Sequence, residues 1–61
     1  MLGKNIKIQR ITKGYSQGQL SKELGISQTY LSLIEREHKL PSLKLLINLS
    51  KVLEYKFLNF L

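Results

Sequence analysis

Gly25 follows Leu24 directly and stands two residues ahead of Ser27. On its near side Leu20 and Leu24 lie one helical turn apart, and on its far side Leu31 and Ile34 fall on one helical face. A glycine placed straight after the last apolar residue of a helical stripe takes the left-handed backbone conformation that ends a helix. A serine just before the next stripe supplies the side-chain oxygen that caps a new one. The chain must therefore leave one short helix and enter another within a few residues, with Ile26 directed into the core between them. That turn constrains everything around it.

The remaining punctuation extends the pattern, because Gly14 and Pro41 divide the rest of the chain into segments of helical length. The first runs from about Leu2 to Lys13. Within it Leu2, Ile6 and the aliphatic part of Arg10 form an inward stripe, Lys4 and Lys7 face water, and Ile8 and Ile11 broaden the apolar surface. The second opens at Ser16, three residues before Gln19, a spacing that resembles a capping box. The third begins at Ser27 and fades near Arg36 or Glu37. The fourth starts near Ser42, and Leu46, Leu49, Ser50 and Leu53 share one of its faces. A last turn covers about Lys56 to Leu61. No stretch alternates with the period of a strand, so the fold is expected to be all-α. Residues 1–61 read as a single domain without repeats or linkers, either whole or as the N-terminal part of a longer protein.

A 61-residue chain is short, and chains of that size bury only about 60% of their unfolded surface. Cysteine is absent, which removes disulfides and thiolate zinc sites as supports, so self-association is expected to supplement the core. Ten Lys and Arg against four Glu give a net charge of +6, and the first acid, Glu23, appears only after five basic residues. Such an excess points to a polyanion, either nucleic acid or an anionic membrane, beside the plain alternative of a solvated basic exterior. Gly25 and Pro41 interrupt any long amphipathic helix, which disfavours the membrane. No apolar run reaches the length of a signal segment or a span, so a cytoplasmic location is expected. His38 is the single histidine, and no metal site is expected. Glu35 and Glu37 point in different directions on a helix, and no nucleophile triad, phosphate loop or nucleotide fingerprint occurs. Neither catalysis, a cofactor nor a small-molecule ligand is predicted.

Two short helices joined by a glycine turn describe a helix-turn-helix. Arg10, Tyr15-Ser16-Gln17, Leu20, Leu24-Gly25-Ile26-Ser27, Leu31-Ser32, Ile34-Glu35-Arg36 and Pro41 together resemble the Cro/phage-repressor-like (XRE-type) helix-turn-helix family of bacterial and phage regulators. The strings Lys13-Gly14-Tyr15-Ser16, Tyr30-Leu31-Ser32 and Ile34-Glu35-Arg36 are especially similar to the biofilm-type repressors of Gram-positive bacteria. The resemblance spans essentially the whole chain. It implies a compact four- to five-helix lambda-repressor-like DNA-binding domain whose second and third helices form the helix-turn-helix. It also implies sequence-specific binding of double-stranded DNA by a transcriptional regulator, most simply a repressor. The alternative is a protein-interaction module that keeps the fold, such as an antitoxin or co-regulator.

In the third segment Leu31 and Ile34 face the core, which turns Gln28 and Ser32 outward with Thr29 and Arg36 on the flank. Amide, hydroxyl and guanidinium groups match base edges in the major groove, where Gln pairs bidentately with adenine and a Thr methyl meets thymine. The ordinary alternative is a solvated helix face. The helix from about Ser27 to Arg36 is thus read as the recognition helix, with Gln28, Thr29, Ser32 and Leu33 as base contacts. Leu33 projects between the core and groove faces, and Tyr30 is expected to pack against the fourth segment. Phosphate contacts are expected from Gln17, at the positive end of the second helix, and from Arg36, Lys39, Ser42 and Lys44. The resemblance adds that Gln17 braces Gln28 and that Arg10 and Glu35 form a largely buried structural ion pair. The family usually has Gly or Asn after the Glu-Arg pair, where this chain has Glu37. Glu37 is expected to resist a left-handed turn and to set an unfavourable charge beside DNA. In the tail Phe57, Leu58, Phe60 and Leu61 are expected at a homodimer contact, with closure of the protein's own core as the alternative.

Overall fold

The computed structural model describes residues 2–61, and Met1 lies outside them. Helices α1 (Leu2–Thr12), α2 (Gln17–Leu24), α3 (Gln28–Glu35) and α4 (Leu43–Val52) follow one another, and a 3-10 helix spans Phe57–Phe60. The described residues contain no strand, and the all-α expectation holds. Each of the three internal helices starts on a serine. Ser16 Oγ accepts from the Gln19 amide at 3.0 Å while the Gln19 side chain accepts from the Ser16 amide at 2.9 Å, closing the capping box. Ser27 Oγ and Ser42 Oγ accept from the amides of Tyr30 and Leu45 at 3.0 and 3.1 Å. These bonds satisfy donors that a helix start otherwise leaves unpaired.

All four helices end by one device. Tyr15 donates to the Arg10 carbonyl, Ile26 to Ser21, His38 to Leu33 and Tyr55 to Ser50, and the residue before each donor closes the inner bond of the same turn. This is the Schellman arrangement, which needs a left-handed residue just past the helix. Gly14 (φ 83°) and Gly25 (φ 71°) fill that position in the first two helices, but Glu37 (φ 65°) and Glu54 (φ 51°) fill it in the last two. The expectation that Glu37 resists the left-handed turn is therefore corrected. A side chain with a Cβ adopts that conformation at a cost of about 1–2 kcal/mol. At Glu37 the offset is visible: its Oε1 accepts from the Gly3 amide and its Oε2 from the Lys4 amide, both at 3.1 Å. Its carboxylate caps the positive end of α1 from the far side of the fold.

The core gathers Ile6 from α1, Leu20 from α2, Leu31 and Ile34 from α3, and Leu49 and Leu53 from the end of the chain's fourth helix, all fully buried. Each such side chain contributes about 1.5–3 kcal/mol by leaving water. Leu45 joins Leu46 on the buried face of α4, a position outside the stripe read from spacing. Phe60 closes the open end of the core. It is fully buried, stands edge-to-face with Tyr55 at 4.9 Å between ring centroids, and its carbonyl accepts from Asn5 Nδ2 at 2.9 Å. The assignment of Phe60 to a dimer contact is therefore corrected, because its side chain is withdrawn into its own domain. Phe57 is half-buried, whereas Leu58 and Leu61 are 74% and 71% exposed.

Candidate nucleic-acid interface

Burial of Leu31, Ile34 and Glu35 fixes the rotation of α3 about its axis. The opposite sector then carries Gln28, Thr29 and the C-cap Arg36, all exposed, with Ser32 and Leu33 half-buried. Gln28, Thr29, Ser32 and Arg36 line one open hollow of about 330 Å³ together with Gln17 from the first turn of α2. Leu33 lies outside that lining. Gly18 faces Gln28 across the two helices, and a Cβ there would make an ordinary contact, 3.4 Å from Gln28 Oε1. The lining offers amide, hydroxyl and guanidinium groups and no carboxylate.

The acids are held elsewhere. Glu35 turns inward and receives the Arg10 fork, with Nε to Oε2 at 2.7 Å and Nη2 to Oε1 at 3.1 Å. The Arg10 and Glu35 side chains are 10% and 1% exposed, and Arg10 Nη1 also donates to the Tyr15 carbonyl at 2.9 Å. The pair expected from the family resemblance is thus present and its polar atoms are satisfied, which a buried ion pair requires. Glu37 is occupied by the start of α1, and its charge there is matched by helix amides, so it does not stand free beside the hollow. Gln17 departs from its implied role: Nε2 donates to Glu35 Oε1 at 3.0 Å, and no Gln17–Gln28 hydrogen bond occurs among the described residues.

The expected phosphate contacts fall into two groups. Gln17 and Arg36 flank the hollow. Ser42 and Lys44 instead edge a second concavity, beside Ile26, Tyr30 and Leu45, and the Ser42 hydroxyl already caps α4. Lys39 reaches back over the Tyr30 ring, with Nζ 5.9 Å from its centroid. Tyr30, expected against the fourth segment, packs against the core and lines a concavity with Leu45 and Asn48 of α4. Among the described residues no cluster of ligating side chains can hold a metal ion, and no helix is long and apolar enough to cross a membrane. Spacing missed two contacts that shape this face, Gln17 with Glu35 and Glu37 with α1. Gly3 was the available signal for the second, since a Cβ at that position would run into the Ile34 carbonyl at the end of α3.

A helix-turn-helix family model matches residues 6–59 of the chain. The HTH-type transcriptional regulator SlrR of Bacillus subtilis is 47% identical over 55 residues, which cover 88% of this chain and 36% of SlrR. SinR of the same bacterium, also an HTH-type transcriptional regulator, is 42% identical over 55 residues, covering 88% of this chain and 50% of SinR. The chain thus spans half or less of the length of these two relatives. A crystal structure of SinR, the master regulator for biofilm formation, in complex with DNA superposes with a TM-score of 0.91 at 38% identity, covering 98% of this chain and 97% of that one. With the Gly25 turn, the Ser27 cap and the serine-started α2 all inside the matched span, this chain belongs to the helix-turn-helix family.

Proposed function

We propose that this domain binds double-stranded DNA sequence-specifically, with α3 in the major groove, and regulates transcription as a repressor that occludes its promoter. The observation that carries this reading is the acid-free hollow that joins Gln17 to Gln28, Thr29, Ser32 and Arg36 in a chain of net charge +6. The likeness to SinR, solved with DNA, supports it. Gln28 and Thr29 present hydrogen-bonding groups to base edges, Ser32 reads beside them, and Leu33 meets a thymine methyl at the margin. Arg36 and Gln17 hold phosphates on either side. Gln17 Nε2 carries two protons, so the one given to Glu35 leaves the other for a phosphate oxygen. Lys39, Lys44 and the free amides at the start of α4 extend the grip along the backbone.

Leu58 and Leu61 lie at the contact of a two-fold homodimer in this reading, with the half-buried Phe57 at its edge. Such a dimer sets its two recognition helices about 34 Å apart, one turn of DNA. A regulator of this kind works in the cytoplasm. Selection of random duplex DNA on the protein, read at two salt concentrations, tests the function. The expected result is a paired motif with half-sites about ten base pairs apart and affinity that falls steeply with salt. Gln28→Ala and Thr29→Ala are each expected to relax one base position, by about 1–3 kcal/mol of discrimination. A pool without sequence preference would reduce the domain to a phosphate-binding surface and favour a protein partner.

A further inference from the structure

We propose that Glu37 is a positioning residue for DNA recognition, one that clamps the amino end of α1 to the exit of α3 and so sets how Arg36 and the loop beyond it meet the phosphate backbone. The proposal rests on the DNA-binding reading above. Glu37 adjoins Arg36, the last residue of the hollow, and precedes Lys39 by two positions. The amides of Arg36, Glu37 and His38 donate to the carbonyls of Ser32, Ile34 and Leu33, so the path of the chain out of α3 depends on residue 37 holding its φ of 65°.

Both carboxylate oxygens of Glu37 are used, one on each of two successive amides of α1. Charge-assisted bonds of this kind, at the positive end of a helix, are stronger than neutral ones. The joint is also sterically closed. A Cβ on Gly3 would collide with the Ile34 carbonyl and stand 3.0 Å from Glu37 Oε1. A second joint ties α1 to α3 at Arg10 and Glu35. Residue 10 lies about 10 Å along α1 from residue 3. With α3 itself fixed by its buried side chains, the second joint holds the chain just beyond it, whereas the ion pair alone leaves the segment after Arg36 untied to α1. The clamp also holds the carboxylate against helix amides, whose positive end partly offsets its charge.

Glu54 supplies an internal comparison. It occupies the equivalent position after α4, with φ 51°, yet it is exposed and makes no side-chain hydrogen bond among the described residues. Glu37→Gly and Glu54→Gly therefore relieve the same backbone conformation and remove the same charge, but only the first opens the joint. The test compares the affinity of the unaltered chain and of each variant for the selected duplex across a salt series, at a temperature where circular dichroism shows each to be folded. Glu54→Gly is expected to bind as tightly as the parent or more tightly. Glu37→Gly is expected to bind about tenfold more weakly, with a salt slope shallower by about one phosphate contact, in spite of its added positive charge. Should Glu37→Gly not fold, Glu37→Gln is compared with Glu54→Gln in the same way, and the same order is expected. Equal affinities and slopes for the two members of either pair would overturn the proposal and leave Glu37 a structural cap. If the unaltered chain shows no sequence preference, the DNA-binding reading fails first, before any variant is compared.

Discussion

Among single side chains, Arg10 and Glu35 carry the largest opposed terms in the molecule. Burial strips both ions of water, and the two-bond fork with its extra bonds to Tyr15 and Gln17 restores what is lost. The balance is such that the pair fixes geometry more than it adds stability. Arg10→Met leaves Glu35, 1% exposed, as an anion with only the Gln17 amide for company. A loss of about 3–5 kcal/mol is expected for that single change. Arg10→Met with Glu35→Leu replaces the pair by packed apolar groups and is expected to recover most of the loss. Urea unfolding of both single variants and the double variant reads the difference. A double variant less stable than either single one would overturn this account. The double variant also frees Gln17 from its anchor, so recovered stability is expected without recovered DNA affinity.

At the scale of helices, the starts and ends of the chain's elements were legible to different degrees, and the reason is the range of the interaction. Ser16, Ser27 and Ser42 each bond an amide three residues ahead, so cap and partner lie within one short string. Gly14 and Gly25 announce left-handed ends because glycine alone adopts them freely. Glu37 and Glu54 take the same conformation with nothing local to announce it. The partner that favours it at Glu37 lies 34 residues earlier, at Gly3, and only the folded chain brings the two together. The outward sector of α3, proposed to read bases, was legible as an exposed face because Leu31 and Ile34 fix the rotation of the helix. The tie from Gln17 to Glu35 was not, since it crosses from one helix to the next. Glu54, strained and unpartnered among the described residues, gives the expectation peculiar to this scale: Glu54→Gly stabilises the domain by about 1 kcal/mol. For a domain of this size that is a rise in melting temperature of about 4–8 °C. A fall in melting temperature would show that the Glu54 side chain makes a contact worth more than its backbone strain.

The tail connects the fold of one chain to the assembly proposed for two. Four large apolar residues in the last five could not be sorted by composition, because all of them favour burial and the segment is too short to show a helical stripe. A 3-10 helix has three residues per turn, so side chains three apart eclipse one another. In that geometry Phe57 and Phe60 share the side turned to the core, and Leu58 and Leu61 share the side turned to water. The two pairs then answer to different measurements. Phe60→Ala opens a cavity beneath Tyr55 and is expected to cost about 3–5 kcal/mol in stability. Leu58→Ser with Leu61→Ser removes only surface exposed on a single chain, so at concentrations where the parent is monomeric the melting temperature is expected to stay near that of the parent. If those leucines form the two-fold contact, sedimentation equilibrium of the parent shows a concentration-dependent dimer while the double variant stays at 7.1 kDa. The same variant is expected to select single half-sites from random DNA where the parent selects pairs, because each recognition helix then docks without a partner one turn away. A parent that sediments at 7.1 kDa at high concentration removes the homodimer from the proposed function. The groups on α3 would then read a single half-site, and a duplex carrying two of them would gain no affinity from their spacing.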